Sequence, residues 1–403
     1  MTQERQTLLD SLPSSFDTGP QWLRSLRGRA ADVLEERGLP NKKTEAWRFT
    51  PVRSVVGTEF SHADVGAPKL AAPAPEGVTV RSLRQVLDQE PALLEGRLGR
   101  SESEHFAALN TALFTEGLWI HMAAGVVVEE PLQLVHSLPR VSEPGVSYPR
   151  VLVTAETGSE ATLIETYAGE AAEQLTNSVV EVELGRNAKL DHVRIHENAG
   201  LQVGRVDVRQ DADSSYRSVV VTLGGALLRF DVRVLLQGQG AECQLNGAYL
   251  VDGNDHVDHH TVVEHQAPRC RSNQTYRGIA SGHGTAVFDG IVLVHRGAQK
   301  TEAHQENRNL LLSETATVHT KPHLEIDTDD VVCSHGATVG SLDEGQLFYL
   351  RTRAIPEELA RAMLTYAFIE RVVDDVGHEP TRDQLREAVL DRIPEGQTIR
   401  EVT

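Results

Sequence analysis

A thiol and an imidazole stand two positions apart in Cys333-Ser334-His335-Gly336. In an extended strand that spacing puts both side chains on one face. A soft sulfur beside a borderline nitrogen is a ligand set for zinc, copper or an iron–sulfur cluster. Two ligands do not close such a site, so the fold or a second chain has to bring the others. Acidic residues Glu325, Asp327, Asp329 and Asp330 lie just upstream. Residue types alone leave two readings open: half of a shared metal site, or a buried cysteine with a histidine capping a turn.

The densest histidine group is His256, His259, His260 and His265. On a strand, His256 and His260 share one side, and His259 and His265 the other. A β-helix or cupin-like metalloenzyme using His256, His259 and His260 stands against the plainer expectation of histidines packed or solvated on a β-surface. His319 and His323, flanking Lys321-Pro322, carry the same plain expectation. Cys243 lies in an alternating run and reads as core. Cys270, between Arg269 and Arg271, reads as a surface thiol whose basic neighbours could lower its pKa. No Gly-rich loop ending in Gly-Lys-Ser/Thr is present, and no dinucleotide fingerprint, Gly-x-Ser-x-Gly elbow or His-Glu-x-x-His helix. The chain is therefore not expected to hydrolyse ATP by itself.

These residues need a scaffold of some size. The chain has 403 residues, of which 40% are hydrophobic and 24% charged, as in an ordinary globular protein. A net charge of −19 argues against nucleic acid or an anionic membrane as the main partner. Three unclustered cysteines do not make a disulfide framework. No signal-like segment is visible in residues 1–10, and no apolar run approaches the roughly 18 residues that span a bilayer. A reducing cytoplasm is the expected compartment.

Three regions differ in pattern. Residues 1–105 read as a helical or mixed domain. Leu23, Leu26, Ala30, Val33 and Leu34 give helical spacing over 22–37, stopped by Gly38-Leu39-Pro40, and 67–75 read as a linker or irregular loop. Residues 106–345 are strand-rich and lack long helical patterns. Runs such as Val179-Val180-Glu181-Val182-Glu183-Leu184 alternate between Gly, Asn and Asp punctuation. Small-residue turns start at Ala161, Ala188, Ser215 and Ala241, at spacings of 27, 27 and 26. That period favours the stacked coils of a β-helix, with an antiparallel sandwich or paired cupin-like barrels as the alternative. Residues 346–403 read as a helical domain. Pro356-Glu357-Glu358 starts one helix, carried by Leu359, Met363, Tyr366, Ile369 and Val373, and a second covers 382–392.

The runs Arg308-Asn309-Leu310-Leu311-Leu312-Ser313, Pro322-His323-Leu324-Glu325-Ile326 and Cys333-Ser334-His335-Gly336-Ala337-Thr338-Val339-Gly340 together resemble the SufB/SufD family, scaffold subunits of the Suf iron–sulfur cluster assembly machinery. Phe348-Tyr349-Leu350-Arg351-Thr352-Arg353-Ala354-Ile355-Pro356 fits the same family. Lys43-Thr44-Glu45-Ala46-Trp47-Arg48-Phe49-Thr50 is similar to the opening of its SufD branch in particular. The resemblance implies a mainly β fold: a right-handed parallel β-helix flanked by N- and C-terminal helical domains. It implies a non-catalytic scaffold that pairs with SufB through the β-helix and grips the SufC ATPase through C-terminal helices, where Leu359, Met363, Tyr366 and Ile369 are the expected contacts. A transient Fe–S cluster would form at the SufB interface, with His335 and Cys333 as ligands from this chain. A homodimer is expected to be possible in isolation. The family is linked to reduced flavin, but no flavin motif is read here.

Overall fold

The computed structural model describes residues 7–400 except 42, 64–66, 138–143, 170–172, 198 and 395. From residue 117 onward the chain winds through strands that alternate between two sheets. One sheet runs from Gly117–Met122 through Arg150–Ala155, Gln174–Leu184, Leu201–Gln210, Leu227–Leu236, His256–His265 and Thr285–Val294 to Thr317–Ile326. The other runs from Leu132–Ser137 through Glu160–Ala168, Lys189–His196, Ser215–Leu223, Glu242–Val251, Arg271–Ala280 and Thr301–Leu311 to Val331–Gly340. Strands within these runs pair in parallel with their neighbours, giving a parallel β-solenoid of about 7 turns. Strand residues alternate inward and outward, so each coil stacks its inward side chains on those of the next.

The sequence repeat marks these coils approximately. Register partners Glu160, Lys189, Ser215, Glu242, Arg271, Glu302 and Val332 step by 29, 26, 27, 29, 31 and 30 residues. The variation is absorbed in the turns, which is why the spacing loosens late in the chain.

One corner of the solenoid repeats a single backbone device. Gly125, Gly158, Asn187, Asp213, Gly240, Arg269 and Lys300 all have left-handed φ. Each donates its N–H to a carbonyl of the next corner, as in Asn187 to Ala212 O at 3.0 Å and Arg269 to Gln299 O at 2.8 Å. Turn polar groups are thus satisfied by the neighbouring coil, as the ladders satisfy the strands.

The N-terminal part caps one flank. The helix Gln21–Arg37 buries Leu23, Leu26, Ala30 and Leu34, and Gly38 ends it at φ 66 with its N–H on Leu34 O. The helix His105–Leu113 opens the region read as strand-rich and without long helical patterns. Phe106 to Ala112 are all buried, so it carries no polar face for a helical period to reveal. A buried ion pair fastens it to the sheet. Arg150 Nη2 donates to Glu181 Oε2 at 2.8 Å, and its Nη1 donates to Asn110 Oδ1 at 3.0 Å and Thr111 Oγ1 at 3.1 Å. Within the segment read as a linker, Lys69–Leu70 adds a short antiparallel strand to Leu132–Ser137.

The C-terminal helices Glu344–Thr352, Glu357–Val373, Glu379–Leu390 and Gly396–Arg400 follow the last strand. The third begins ahead of the sequence expectation because Pro380 sits in its first turn. They cover outward apolar positions of the second sheet, including Val193, Ile195, Val219 and Val221. Polar anchors fix the seating: Asn246 Nδ2 donates to Asp375 Oδ2 at 2.6 Å, and Arg277 Nη1 to Phe368 O at 2.9 Å. No helix of the described residues is long and apolar enough to cross a membrane.

The far end of the solenoid is open. Among the described residues no strand continues either sheet beyond Thr317–Ile326 or Val331–Gly340. Val339, on an inward position there, is 43% exposed, whereas its register partners Asn309, Gly278 and Tyr249 in the inner coils are buried; Val332, on an outward position, is 61% exposed.

The corner ladder makes a direct prediction. Arg269 is exposed and has φ 59, a conformation in which a β-carbon is costly. Arg269→Gly is expected to stabilise the fold by up to about 1 kcal/mol. Gly240→Ala would place a Cβ 2.5 Å from Asp213 Oδ1 at φ 74, and is expected to destabilise by about 1–2 kcal/mol. Urea unfolding midpoints check both.

Candidate functional site

Cys333 and His335 lie on the last strand, in register with Ala303 and Gln305. Both therefore share the inward side of the solenoid, as their spacing predicts. They sit at its open mouth. Cys333 packs at the edge of the cluster of Val292, Val294, Ala298 and Ala303. Burial pushes its thiol pKa up, so the free side chain holds its proton and a metal would have to displace it. His335 is exposed and continues a column formed by Leu163, His192, Ser218, Leu245, Gln274 and Gln305. Both amide atoms of buried Gln305 lack a hydrogen-bond partner. Gly290 makes room for that amide, since a Cβ there would stand 2.1 Å from its Nε2. Asp327, Asp329 and Asp330 are exposed around the turn between the two edge strands. Among the described residues, no group of three or more His, Cys, Asp or Glu side chains is arranged to hold a metal ion.

The histidine group divides as strand alternation requires. His259 faces the interior, where its Nε2 lies 3.2 Å from Thr222 Oγ1 between Tyr249 and Tyr276. His265 pairs with Ser272 Oγ at 2.8 Å. His256 and His260 face outward beside Asp258. The structure therefore does not bring His256, His259 and His260 together, because the sheet separates His259 from the other two.

The outward pair instead belongs to a clamp on the N-terminal segment. Thr50 Oγ1 donates to Asp258 Oδ2 at 2.5 Å and lies 3.1 Å from His256 Nε2. Arg229 Nη1 donates to Asp258 Oδ2 at 2.9 Å and to Ala46 O at 2.6 Å, and its guanidinium lies 3.8 Å from the Trp47 ring centroid. His260 Nε2 approaches Asp258 Oδ1 to 2.9 Å, close enough for ion pairing though not aligned as a hydrogen bond. Burial alone would raise the Asp258 pKa, but His260, Arg229 and Thr50 outweigh it and hold the group well below the usual carboxylate range. Phe49 stacks on His319 with ring centroids 4.0 Å apart. The conspicuous motif from Lys43 to Thr50 is thus an anchor that ties the N-terminal region to the late coils.

Two cysteines are interior. Cys243 is buried, as expected. Cys270 is also buried, contrary to the surface reading: the left-handed Arg269 turns the thiol inward, where Sγ donates to Gly238 O at 3.3 Å. Burial raises its pKa, the reverse of what its basic neighbours suggested.

Sequence reasoning missed a polar line inside the early coils. Glu165 accepts from His136 Nε2 at 3.0 Å and His192 Nε2 at 2.8 Å, and His192 Nδ1 lies 2.9 Å from Tyr216 Oη. Burial would raise the Glu165 pKa, but the two histidine hydrogen bonds outweigh it and hold it well below the carboxylate range. Arg194 lies over the Phe230 ring at 5.1 Å, with Nε and Nη1 unpartnered. The only sequence signal was polar residues at inward positions of alternating strands, which needs the register to be recognised.

On the C-terminal helix Glu357–Val373 the four expected contact residues separate. Ile369 is fully buried against the solenoid, and Leu359 packs at the rim of the same cluster. Tyr366 is half-buried and donates to Glu370 Oε1 at 3.1 Å. Met363 reaches the surface. The preceding helix adds Phe348, 69% exposed, and Tyr349, 56% exposed.

Comparison with known proteins places this geometry. Residues 139–368 match the family described as SUF system FeS cluster assembly, SufBD core domain, and residues 65–134 match the SufBD protein N-terminal region. The iron–sulfur cluster assembly protein SufD of Escherichia coli is 31% identical, over 90% of this chain and 91% of its own length. The chloroplastic protein ABCI7 of Arabidopsis thaliana is 32% identical, over 95% of this chain and 89% of its own. The SufD of Bacillus subtilis is 26% identical, over 91% and 93% respectively.

The buried histidines set an acid response. Burial, aided by the nearby Arg194 charge, pushes His259 down to about 3, and burial pushes His265 down to about 4. Both sit below their unfolded values, so their contribution is complete above about pH 6.5 and is lost as pH falls towards the folded values. Glu165 and Asp258 add a further loss only at lower pH. His259→Gln is expected to remove roughly 2 kcal/mol of the stability loss between about pH 6.5 and 4.5, read from urea unfolding across that range.

Proposed function

The chain belongs to the SufBD family of iron–sulfur cluster assembly proteins, and from that membership we propose that it is a non-catalytic scaffold whose open solenoid end completes itself on a second SufBD-type subunit, SufB. The observation that carries this reading is the uncapped last coil. Two edge strands there offer unpaired backbone groups, Val332 and Val339 are exposed, and His335 and Cys333 lie on the inner face. An exposed, partly apolar edge of this kind is a template for strand pairing with another chain. Docking SufB against it would enclose the mouth and supply the ligands that this chain lacks. The nascent Fe–S cluster is the cargo of that shared site, with His335 the principal ligand from this side and Cys333 an auxiliary one.

The C-terminal helices are proposed to bind the SufC ATPase. Phe348, Tyr349 and Met363 form the exposed part of that surface, while Ile369 holds the helix to the solenoid behind it. The absence of a phosphate-binding loop in the sequence fits a division of labour in which ATP chemistry belongs to the ATPase subunit. A docking face carried directly on the sheet behind the last coil would let its movement reach the mouth.

Two sets of variants test the scheme. In complexes with SufB and SufC, His335→Ala is expected to lower the cluster assembled per complex by about tenfold or more, with Cys333→Ala milder. Cluster absorbance after anaerobic reconstitution reads this, and a wild-type yield from His335→Ala would remove the ligand role. Val339→Asp together with Val332→Asp should abolish SufB co-purification but leave SufC bound. Phe348→Asp with Met363→Asp should do the reverse.

A further inference from the structure

A second concave site lies far from the mouth, where the N-terminal region meets the outer face of the solenoid. It has a volume of about 530 Å³ and is lined by Arg97, Arg100 and Arg209 at one end and by Glu156 and Asp211 towards the turn corner. The arginines are under-neutralised. Glu183 serves both Arg97, at 3.0 Å, and Arg100. Glu181 is committed to Arg150 and to the backbone N–H of Arg100, and Asp207 to Arg205 and Ser101. Arg209 has no hydrogen-bond or ion-pair partner among the described residues, and its charge instead acts on Arg100. Burial first, then the Arg209 charge, pushes Arg100 down to about 10. Three guanidinium groups thus gather around the single carboxylate of Glu183, and Glu156 and Asp211 of the same lining balance them, which makes the recess bipolar rather than net positive.

Arg100 is also held in place before any ligand arrives. Its Nε and Nη2 both donate to Gly96 O, at 3.1 and 3.0 Å. Gly96 and Gly99, with φ of 71 and 77, shape the loop that carries it. The acidic end is different in kind. Glu156 Oε2 accepts from Ala124 N at 3.2 Å, with His121 Nε2 3.6 Å from its Oε1, and Asp211 Oδ1 accepts from Ala212 N at 2.7 Å, so each lining carboxylate keeps lone pairs for a further donor. Guanidinium forks match phosphate oxygens, and carboxylates match hydroxyl donors. The volume falls within the range of small-molecule sites and exceeds what a single phosphate ion fills.

We propose that this recess binds a small phosphorylated polyol, with its phosphate on Arg209 and Arg97 above the fixed Arg100 and its hydroxyls on Glu156 and Asp211. The inference is independent of the cluster-assembly reading, since none of these residues touches the solenoid mouth or the C-terminal helices.

Titration calorimetry and thermal unfolding with ribose 5-phosphate, inorganic phosphate and ribose, at matched ionic strength, test it. Ribose 5-phosphate is expected to bind saturably and raise the unfolding temperature, at least tenfold more tightly than phosphate, with ribose inert. Arg209→Gln, which breaks no contact in the folded chain, is expected to weaken binding about tenfold or more while leaving the ligand-free unfolding temperature unchanged. No saturable binding of ribose 5-phosphate overturns the site, as does equal binding by wild type and Arg209→Gln. Equal affinity for phosphate and ribose 5-phosphate overturns the assignment of a hydroxyl-bearing ligand.

Discussion

A coil of a parallel solenoid cannot satisfy itself. Its strand N–H and C=O groups point along the stack, its inward side chains need a layer above and below, and here even its corner N–H bonds to the next coil. From Gly125 to Lys300 the left-handed corner residues repeat that dependence seven times. Everything else follows from where the stacking stops. At the N-terminal end the chain folds back on itself with antiparallel strands and helices. At the other end no strand of the described chain pairs beyond Thr317–Ile326 and Val331–Gly340, and that is where the one cysteine that is not buried and its neighbouring histidine stand.

The flanking regions keep this end both presentable and fixed. Two buried charge clusters tie the N-terminal region to the outer face, one around Arg150 and Glu181 and the other around Arg229 and Asp258. Removing one member of such a pair typically costs about 3–5 kcal/mol, because the remaining charge stays buried. The second cluster matters more for function, since its segment continues to Phe49 stacked on His319 of the final coil. The C-terminal helices brace the opposite face through Asp375 and Phe368. The last coil is thus held on the outer face of the first sheet by Phe49, while the C-terminal helices brace the coils before it and the outer face of Val331–Gly340 stays exposed.

Much of this was legible in the sequence, for physical reasons. Alternation in runs such as Val179 to Leu184 reports burial directly, and the repeat of small-residue turns reports stacking. Cys333 and His335 were placed on a common face by spacing alone. What was lost depends on three-dimensional register. Glu165, His192 and Arg194 look like ordinary polar members of mixed strands until the coils align them. Cys270 was misread because its direction is set by the left-handed φ of Arg269, which its neighbours' charges do not reveal. The helix His105–Leu113 escaped because it is buried all round. The resemblance to SufB/SufD proteins stated the architecture, but the role of the Trp47 motif as a clamp came only from its contacts with Arg229.

The central claim is that the axial end of the solenoid is an interface awaiting a partner, and amide hydrogen exchange tests it most directly. In the isolated chain, the amides of residues 317–326 and 331–340 that face away from the stack should exchange quickly, while those of residues 285–294 and 301–311 are protected. Adding SufB should protect the fast set selectively and leave the N-terminal flank unchanged. Unaltered exchange along both edge strands in a complex that still contains SufB would contradict the account.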